Sequence, residues 1–244
     1  MKLSYTDYDA VLFDLDGVLT LTMKIHALCW KRMFDAYLQE RAEQLGQVFR
    51  PFEIADDYKP FVDGKLRYDG VRCFLQSRGI SLPEGTPEDS SELTTVCGLG
   101  NRKNQMVNDM IATDGVEVIS GSISAVHRVR SQGLQTAVVS ASKNCEAVLK
   151  VAGIFDLFDT IVDGKVAARL GLPGKPAPDT FLEAARELGV EPARAIVVED
   201  AISGVQAGQA GGFGLVVGID HYDDKKALLQ GGADIVVNDL LEVF

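Results

Sequence analysis

From about residue 116 onward, short apolar runs rich in β-branched residues alternate with helical stretches, and no other feature of the chain constrains its fold as strongly. "SISAVHRVRSQG" is followed by "LQTAVVSAS", "NCEAVLKVAG", "DTIVDG", "DTFLEAARELG", "AIVVED", "SGVQAGQAGG", "FGLVVGI" and "ADIVV". Within "DTFLEAARELG", Phe181, Ala184, Ala185 and Leu188 recur at helical spacing and Gly189 supplies a stop. The strand candidates are nearly continuous apolar runs, as expected of strands covered on both faces. An α/β fold with a parallel sheet follows. One more strand candidate, in "AVLFDLDGVLT" at residues 10–20, lies far upstream of the others.

Between Leu21 and about Thr113 the pattern changes to long amphipathic helical segments, beginning "MKIHALCWKRMFDAYLQERAEQLG". A turn-rich acidic stretch, "GISLPEGTPEDSSEL", interrupts them. The expected organisation is a core of residues 1–19 and 116–244, with a helical cap of residues 20–115 inserted after the first strand. A chain of 244 residues is long enough to bury the core of such an arrangement.

Composition narrows the function classes. The formal net charge of −11 repels nucleic-acid backbones and acidic lipid surfaces, so neither is expected as the main partner. A small anionic substrate remains compatible with that charge, because local groups or a metal can invert the field inside a pocket. The four cysteines, Cys29, Cys73, Cys97 and Cys145, include no CxxC pair, which suits reduced thiols and argues against a zinc site or a disulfide scaffold. No apolar run approaches the roughly 18 residues of a membrane span, and the first ten residues do not read as a signal peptide, so a cytoplasmic protein is expected.

The polar residues that end the strand candidates carry the chemistry. Ligands of an open parallel sheet bind beyond the carboxyl ends of its strands. Asp14 and Asp16 end the first strand, Ser140 ends "TAVVS", and Glu199 with Asp200 end "AIVVED", while "PGKPAPD" places Lys175 in a proline-stiffened loop. Taken singly, these residues read as turn formers, helix caps or a solvated lysine. Four carboxylates, a hydroxyl and a lysine at one sheet edge read differently, because the carboxylates repel unless a cation joins them. Hard oxygen donors beside a phosphate substrate suit Mg²⁺. Asp14 then becomes a nucleophile that forms an aspartyl-phosphate, with Lys175 and Ser140 holding the phosphoryl oxygens. Asp16 points differently and serves as general acid and base.

The ordered set "DLDGVLT", "VVSAS", "GKPAPD" and "VVEDA" resembles the four motifs of the haloacid dehalogenase-like superfamily. The resemblance implies a Rossmann-like core with an inserted helical cap. It also implies that Asp14, the Asp16 backbone carbonyl and Asp200 ligate Mg²⁺, with Glu199 supporting the site. A closer likeness is to the β-phosphoglucomutase-like subfamily, carried by His26, Trp30, Gly64 and Arg67 in the cap and by "SASKN" at residues 140–144. It implies His26 near Asp16, Trp30 near the sugar, and Arg67, Ser142, Lys143 and Asn144 on the phosphate that is not transferred. His26 and Trp30 share a helix face that continues through Met33 and Tyr37, so core packing stays open for the pair. Where many relatives carry Asp or Ser followed by Thr after the first motif, this chain carries Leu21 and then Thr22, which joins the candidate substrate contacts. Two cap stretches, "RAEQLGQVFRPFEIADDYKP" and "PEGTPEDSSEL", lack counterparts in the small mutase, and Lys103 in "GNRKNQ" either reaches a phosphate or lies on a solvated face. The implied activity is interconversion of β-glucose 1-phosphate and glucose 6-phosphate through the 1,6-bisphosphate, by a monomer acting on a small phosphorylated sugar. The alternative is a sugar-phosphate phosphatase with the same first step.

Overall fold

A computed structural model describes residues 4–221 and 223–244. It divides into two compact units, one formed by Met1–Thr22, Gly64–Leu66 and Val116–Phe244, the other by Met23–Asp63 and Arg67–Gly115. Residues 20–22 and 64–66, expected in the helical insert, group with the sheet. For the first of these the reason is backbone pairing: Thr20 bridges to Val118 and Leu21 N–H donates to the Glu117 carbonyl at 2.9 Å.

The sheet unit holds strands β1 (Ala10–Phe13), β2 (Gln135–Val139), β3 (Thr160–Val162), β4 (Ala195–Glu199), β5 (Leu215–Ile219) and β6 (Ile235–Val237). They form one sheet in the order β3-β2-β1-β4-β5-β6, with every neighbouring pair parallel. β1, β4 and β5 are buried along their whole length, which explains why their sequences do not alternate. This is the doubly wound order, in which the chain reverses direction across the sheet between β1 and β4, and ligands of such sheets bind at the carboxyl ends beside that reversal.

The helical unit contains α1 (Met23–Leu45), the short α2 (Lys59–Phe61), α3 (Arg67–Ser77) and α4 (Val96–Asp114). Its core is aromatic: Phe34 stacks on Trp30 and Phe52 at 5.3 and 5.4 Å and tilts onto Phe74 at 4.1 Å. The remaining helices, α5 (Ser120–Ser131), α6 (Cys145–Val151), α7 (Gly164–Leu170), α8 (Asp179–Leu188), α9 (Ile202–Ala210) and α10 (Lys225–Gly231), belong to the sheet unit. On α8 the predicted apolar face buries Phe181, Ala184 and Ala185 against strand residues such as Leu12 and Val197. Burying a side chain the size of Phe181 is worth about 2–3 kcal/mol. None of the described helices is long and apolar enough to cross a membrane.

Candidate active site

Strand register sets the geometry at the carboxyl edge. Phe13 pairs with Val138 on one side and Val198 on the other, so Asp14 stands level with Val139 and Glu199. Lys175 reaches this row from the β3–β4 connection. Its Nζ lies 2.5 Å from Asp14 Oδ1 and 2.5 Å from Glu199 Oε1, and it donates to the Val139 carbonyl at 3.1 Å. Asp14, Lys175 and Glu199 are all buried. The Glu199 carboxylate is fixed further by accepting from Asp200 N–H and Ala201 N–H, both at 3.0 Å, while its Oε1 is held by the Lys175 charge without a well-oriented hydrogen bond. α9 can pass this close only because residue 204 is glycine, since a Cβ there would collide with the Glu199 carboxyl.

The electrostatics show what the row lacks. Burial pushes the Asp14 carboxyl up to about 6 and the Glu199 carboxyl up to about 7, with Lys175 pulling against both. Burial alone would depress Lys175, but Asp14 and Glu199 together outweigh it and keep the ammonium protonated. One oxygen from each of Asp14, Glu199 and Asp200 lies within 4.8 Å of the others. The Lys175 ammonium contacts two of these three carboxylates, Asp14 and Glu199. The all-oxygen donor set and the surplus negative charge fit a small divalent cation.

Asp16 sits outside that cluster, and its carboxylate accepts a hydrogen bond from the Thr22 hydroxyl. Thr22 is fully buried, and its oxygen lies 2.7 Å from that of Thr20, whose hydroxyl also bonds the Leu15 carbonyl at 3.2 Å. Thr22, expected to touch substrate, thus has its hydroxyl committed to Asp16, because the turn after β1 brings residue 22 back beside residue 16. Ser140 is buried, and its oxygen accepts from Ser142 N–H at 3.1 Å. The Ser142 hydroxyl in turn accepts from Asn144 N–H at 3.1 Å, so "SASKN" forms a tight turn into α6 with Lys143 partly exposed. Gly64 lies in the sheet unit with φ of +67°, where a Cβ would meet the Ser203 hydroxyl.

In the helical unit, His26 and Trp30 separate in role. Trp30 is 3% exposed and stacked on Phe34, as core packing requires. His26 Nδ1 lies 2.6 Å from Lys103 Nζ, which also sits 4.8 Å from the centre of the Trp30 ring. Lys103 is only 5% exposed, so the solvated face left open for it is excluded. Burial and then the charges of Lys103 and Arg67 hold the His26 pKa well below its ordinary value. His26 is therefore neutral, and its Nδ1 accepts from the lysine. Arg67 opens α3 and donates to the Asn104 side-chain oxygen at 2.6 Å and to that of Asn101 at 3.4 Å. Sequence reasoning missed both asparagines, although they lie in the "GNRKNQ" segment it singled out.

Comparison with known proteins gives concordant results. The family model of haloacid dehalogenase-like hydrolases matches residues 8–212. A protein of Mycobacterium bovis named β-phosphoglucomutase is 50% identical over 237 residues, covering 96% of this chain and 90% of its own. A β-phosphoglucomutase of Bacillus subtilis is 30% identical, covering 93% and 88%. The crystal structure of β-phosphoglucomutase from Clostridium difficile superposes with a TM-score of 0.74 at 25% identity, over 97% of this chain and 93% of that one.

Proposed function

Because the chain belongs to the haloacid dehalogenase-like hydrolase family, whose members are enzymes, we propose that it is a Mg²⁺-dependent phosphotransferase interconverting β-glucose 1-phosphate and glucose 6-phosphate through the 1,6-bisphosphate. One observation carries the reading. Asp14 has the Lys175 ammonium 2.5 Å away, while Asp16, two residues on, has the Thr22 hydroxyl instead. The first carboxylate is equipped to approach an anion, the second to carry a proton. The identity of the M. bovis and B. subtilis relatives supports the sugar.

In the first half-reaction an Asp14 oxygen attacks phosphorus, the bond from phosphorus to the sugar oxygen breaks, and Asp16 gives its proton to that departing oxygen. In the second, Asp16 takes the proton from the attacking sugar hydroxyl and Asp14 leaves as carboxylate. Lys175 stabilises charge on the phosphoryl oxygens, and Ser140, whose oxygen already accepts from Ser142 N–H, has its hydroxyl proton left to donate to them. Asp14, Asp200 and the Asp16 carbonyl, with Glu199 beside them, would hold Mg²⁺, which supplies positive charge where the phosphate arrives. Arg67, Ser142, Lys143 and Asn144 are assigned to the second phosphate of the bisphosphate. Arg suits that task because its planar fork can donate two hydrogen bonds to one phosphate. His26, neutral and held by Lys103, is assigned to the sugar.

The test is a product balance. Protein is supplied with Mg²⁺, β-glucose 1-phosphate and a trace of the bisphosphate, and glucose 6-phosphate and free phosphate are followed together. The mutase yields glucose 6-phosphate with little free phosphate. Predominant free phosphate would assign the chain to sugar-phosphate hydrolysis instead.

A further inference from the structure

The turn-rich stretch between α3 and α4 is not slack. Asp89 accepts from the Thr95 hydroxyl at 2.5 Å and the Thr86 hydroxyl at 3.1 Å, and Thr95 also caps α4 through Gly98 N–H at 2.9 Å. Backbone bonds from Val96 N–H to the Pro83 carbonyl and from Cys97 N–H to the Glu84 carbonyl, both 3.0 Å, close its base, and Arg102 Nε holds the Ser91 carbonyl at 2.8 Å. Residues 83–95, without regular structure, are thereby fastened to one end of α4.

Asn101 joins this loop to Arg67. Its nitrogen donates to the carbonyls of Pro87 and Asp89 at 3.1 and 2.9 Å, while its oxygen accepts from Tyr68 hydroxyl at 2.9 Å and from Arg67. The orientation of this amide is fixed by chemistry, because carbonyls only accept and a guanidinium only donates. Gly100 lets the pair lie flat on α4: a Cβ there would approach Tyr68 Cδ1 to 2.7 Å and Arg67 Cδ to 3.2 Å. Glycine inside a helix is less favourable than alanine, and here that cost accompanies the close seating of α3's first turn.

The partners of Arg67 are unusual for a partly buried cation. Among the described residues no carboxylate lies within ion-pair distance of it, and its hydrogen bonds go to two neutral amide oxygens. Burial accordingly holds its pKa below the ordinary value. Two of its N–H groups donate to these amide oxygens and the Tyr68 hydroxyl lies beside it, all neutral partners, so the guanidinium keeps its charge for an anion.

We infer that Asn101 and Asn104 are positioning residues that hold Arg67 by neutral contacts, keeping its charge for the non-transferred phosphate, and that the 83–95 loop sets its direction through Asn101. This rests on the reading that Arg67 binds that phosphate. A carboxylate at either position would hold the guanidinium as firmly but cancel the charge on which phosphate binding depends. An amide is the side chain that positions it without neutralising it.

The experiment uses the full chain with Asp14→Asn, which cannot transfer phosphoryl, and measures Kd for glucose 1,6-bisphosphate. Adding Asn104→Asp, nearly isosteric, raises Kd at least tenfold without lowering the melting temperature. Adding Asn101→Ala, which loosens Arg67 but adds no charge, raises it less. In the otherwise wild-type enzyme both changes appear in KM far more than in kcat. Bisphosphate binding that is indifferent to Asn104→Asp overturns the inference alone. Failure of the Asp14→Asn protein to bind the bisphosphate at all overturns the reading beneath it as well.

Discussion

Replacing Lys175 with methionine keeps most of the side-chain volume and removes the cation from between Asp14 and Glu199, each 2.5 Å away in the wild type. Two buried carboxylates then face each other with no counter-charge. Breaking a buried ion pair from one side costs on the order of 3–5 kcal/mol, and 1 kcal/mol moves the melting temperature of a chain this size by about 2–4 °C. The loss should therefore reach about 6–20 °C in EDTA at pH 8. The sign of its pH dependence follows from the direction of the shifts. Both carboxyls already titrate above their ordinary values, at about 6 and about 7, and loss of the lysine raises them further. An acid whose folded pKa is raised costs nothing below its unfolded pKa, and it destabilises as pH climbs through the window between the two. Up to about pH 5 the variant should melt close to wild type, because the folded carboxyls are protonated in both, and the gap should open as pH climbs through about 6 and about 7 toward 8. Calorimetry across that range is the assay. A deficit of equal size at both ends would mean that Lys175 contributes packing rather than charge, and the electrostatic account would fail.

Metal removal should show the converse dependence. Mg²⁺ needs ionised ligands, so the rise in melting temperature on adding it to EDTA-treated protein should grow from pH 5.5 to pH 8; a rise independent of pH would contradict the cluster at Asp14, Glu199 and Asp200. Thr22→Val should lower kcat by about 10–100-fold, part of what general acid–base catalysis supplies, with Thr22→Ser recovering most of it; retained kcat in the valine variant would separate Asp16 from the proton transfer. Gly204→Ala should displace the Glu199 carboxyl, destabilise the fold by about 1–3 kcal/mol and weaken Mg²⁺ binding, which a calorimetric titration would register; full Mg²⁺ affinity would show that Glu199 has room to move.

The sheet and its active edge were legible because both follow from period and position. Continuous apolar runs mark strands covered on both faces, and the residue that ends each run must sit at the edge where such sheets bind ligands, which locates Asp14, Ser140 and Glu199. Register is not written in those runs. That Asp14 stands level with Glu199, and that Lys175 reaches Asp14 from 161 residues away, emerges only when the strands pair. Charge likewise says nothing of burial: a solvated face stays open for Lys103 until α1 supplies His26 and Trp30, more than seventy positions earlier. Thr22 illustrates the same limit at short range. Its link to Asp16 arises from an irregular turn with no periodicity to betray it, and the Asn101 amide acts through backbone carbonyls whose direction no sequence pattern records.

In the proposed mechanism an Asp14 carboxylate oxygen carries phosphorus. Enzyme incubated with Mg²⁺ and glucose 1,6-bisphosphate, quenched in acid and mapped by peptide mass, should gain one phosphoryl group on the peptide containing Asp14, labile to hydroxylamine. Asp14→Asn should gain none, while Asp16→Asn should still be labelled, more slowly. A phosphoryl group on any other residue, or labelling that survives Asp14→Asn, would contradict the mechanism at its first step.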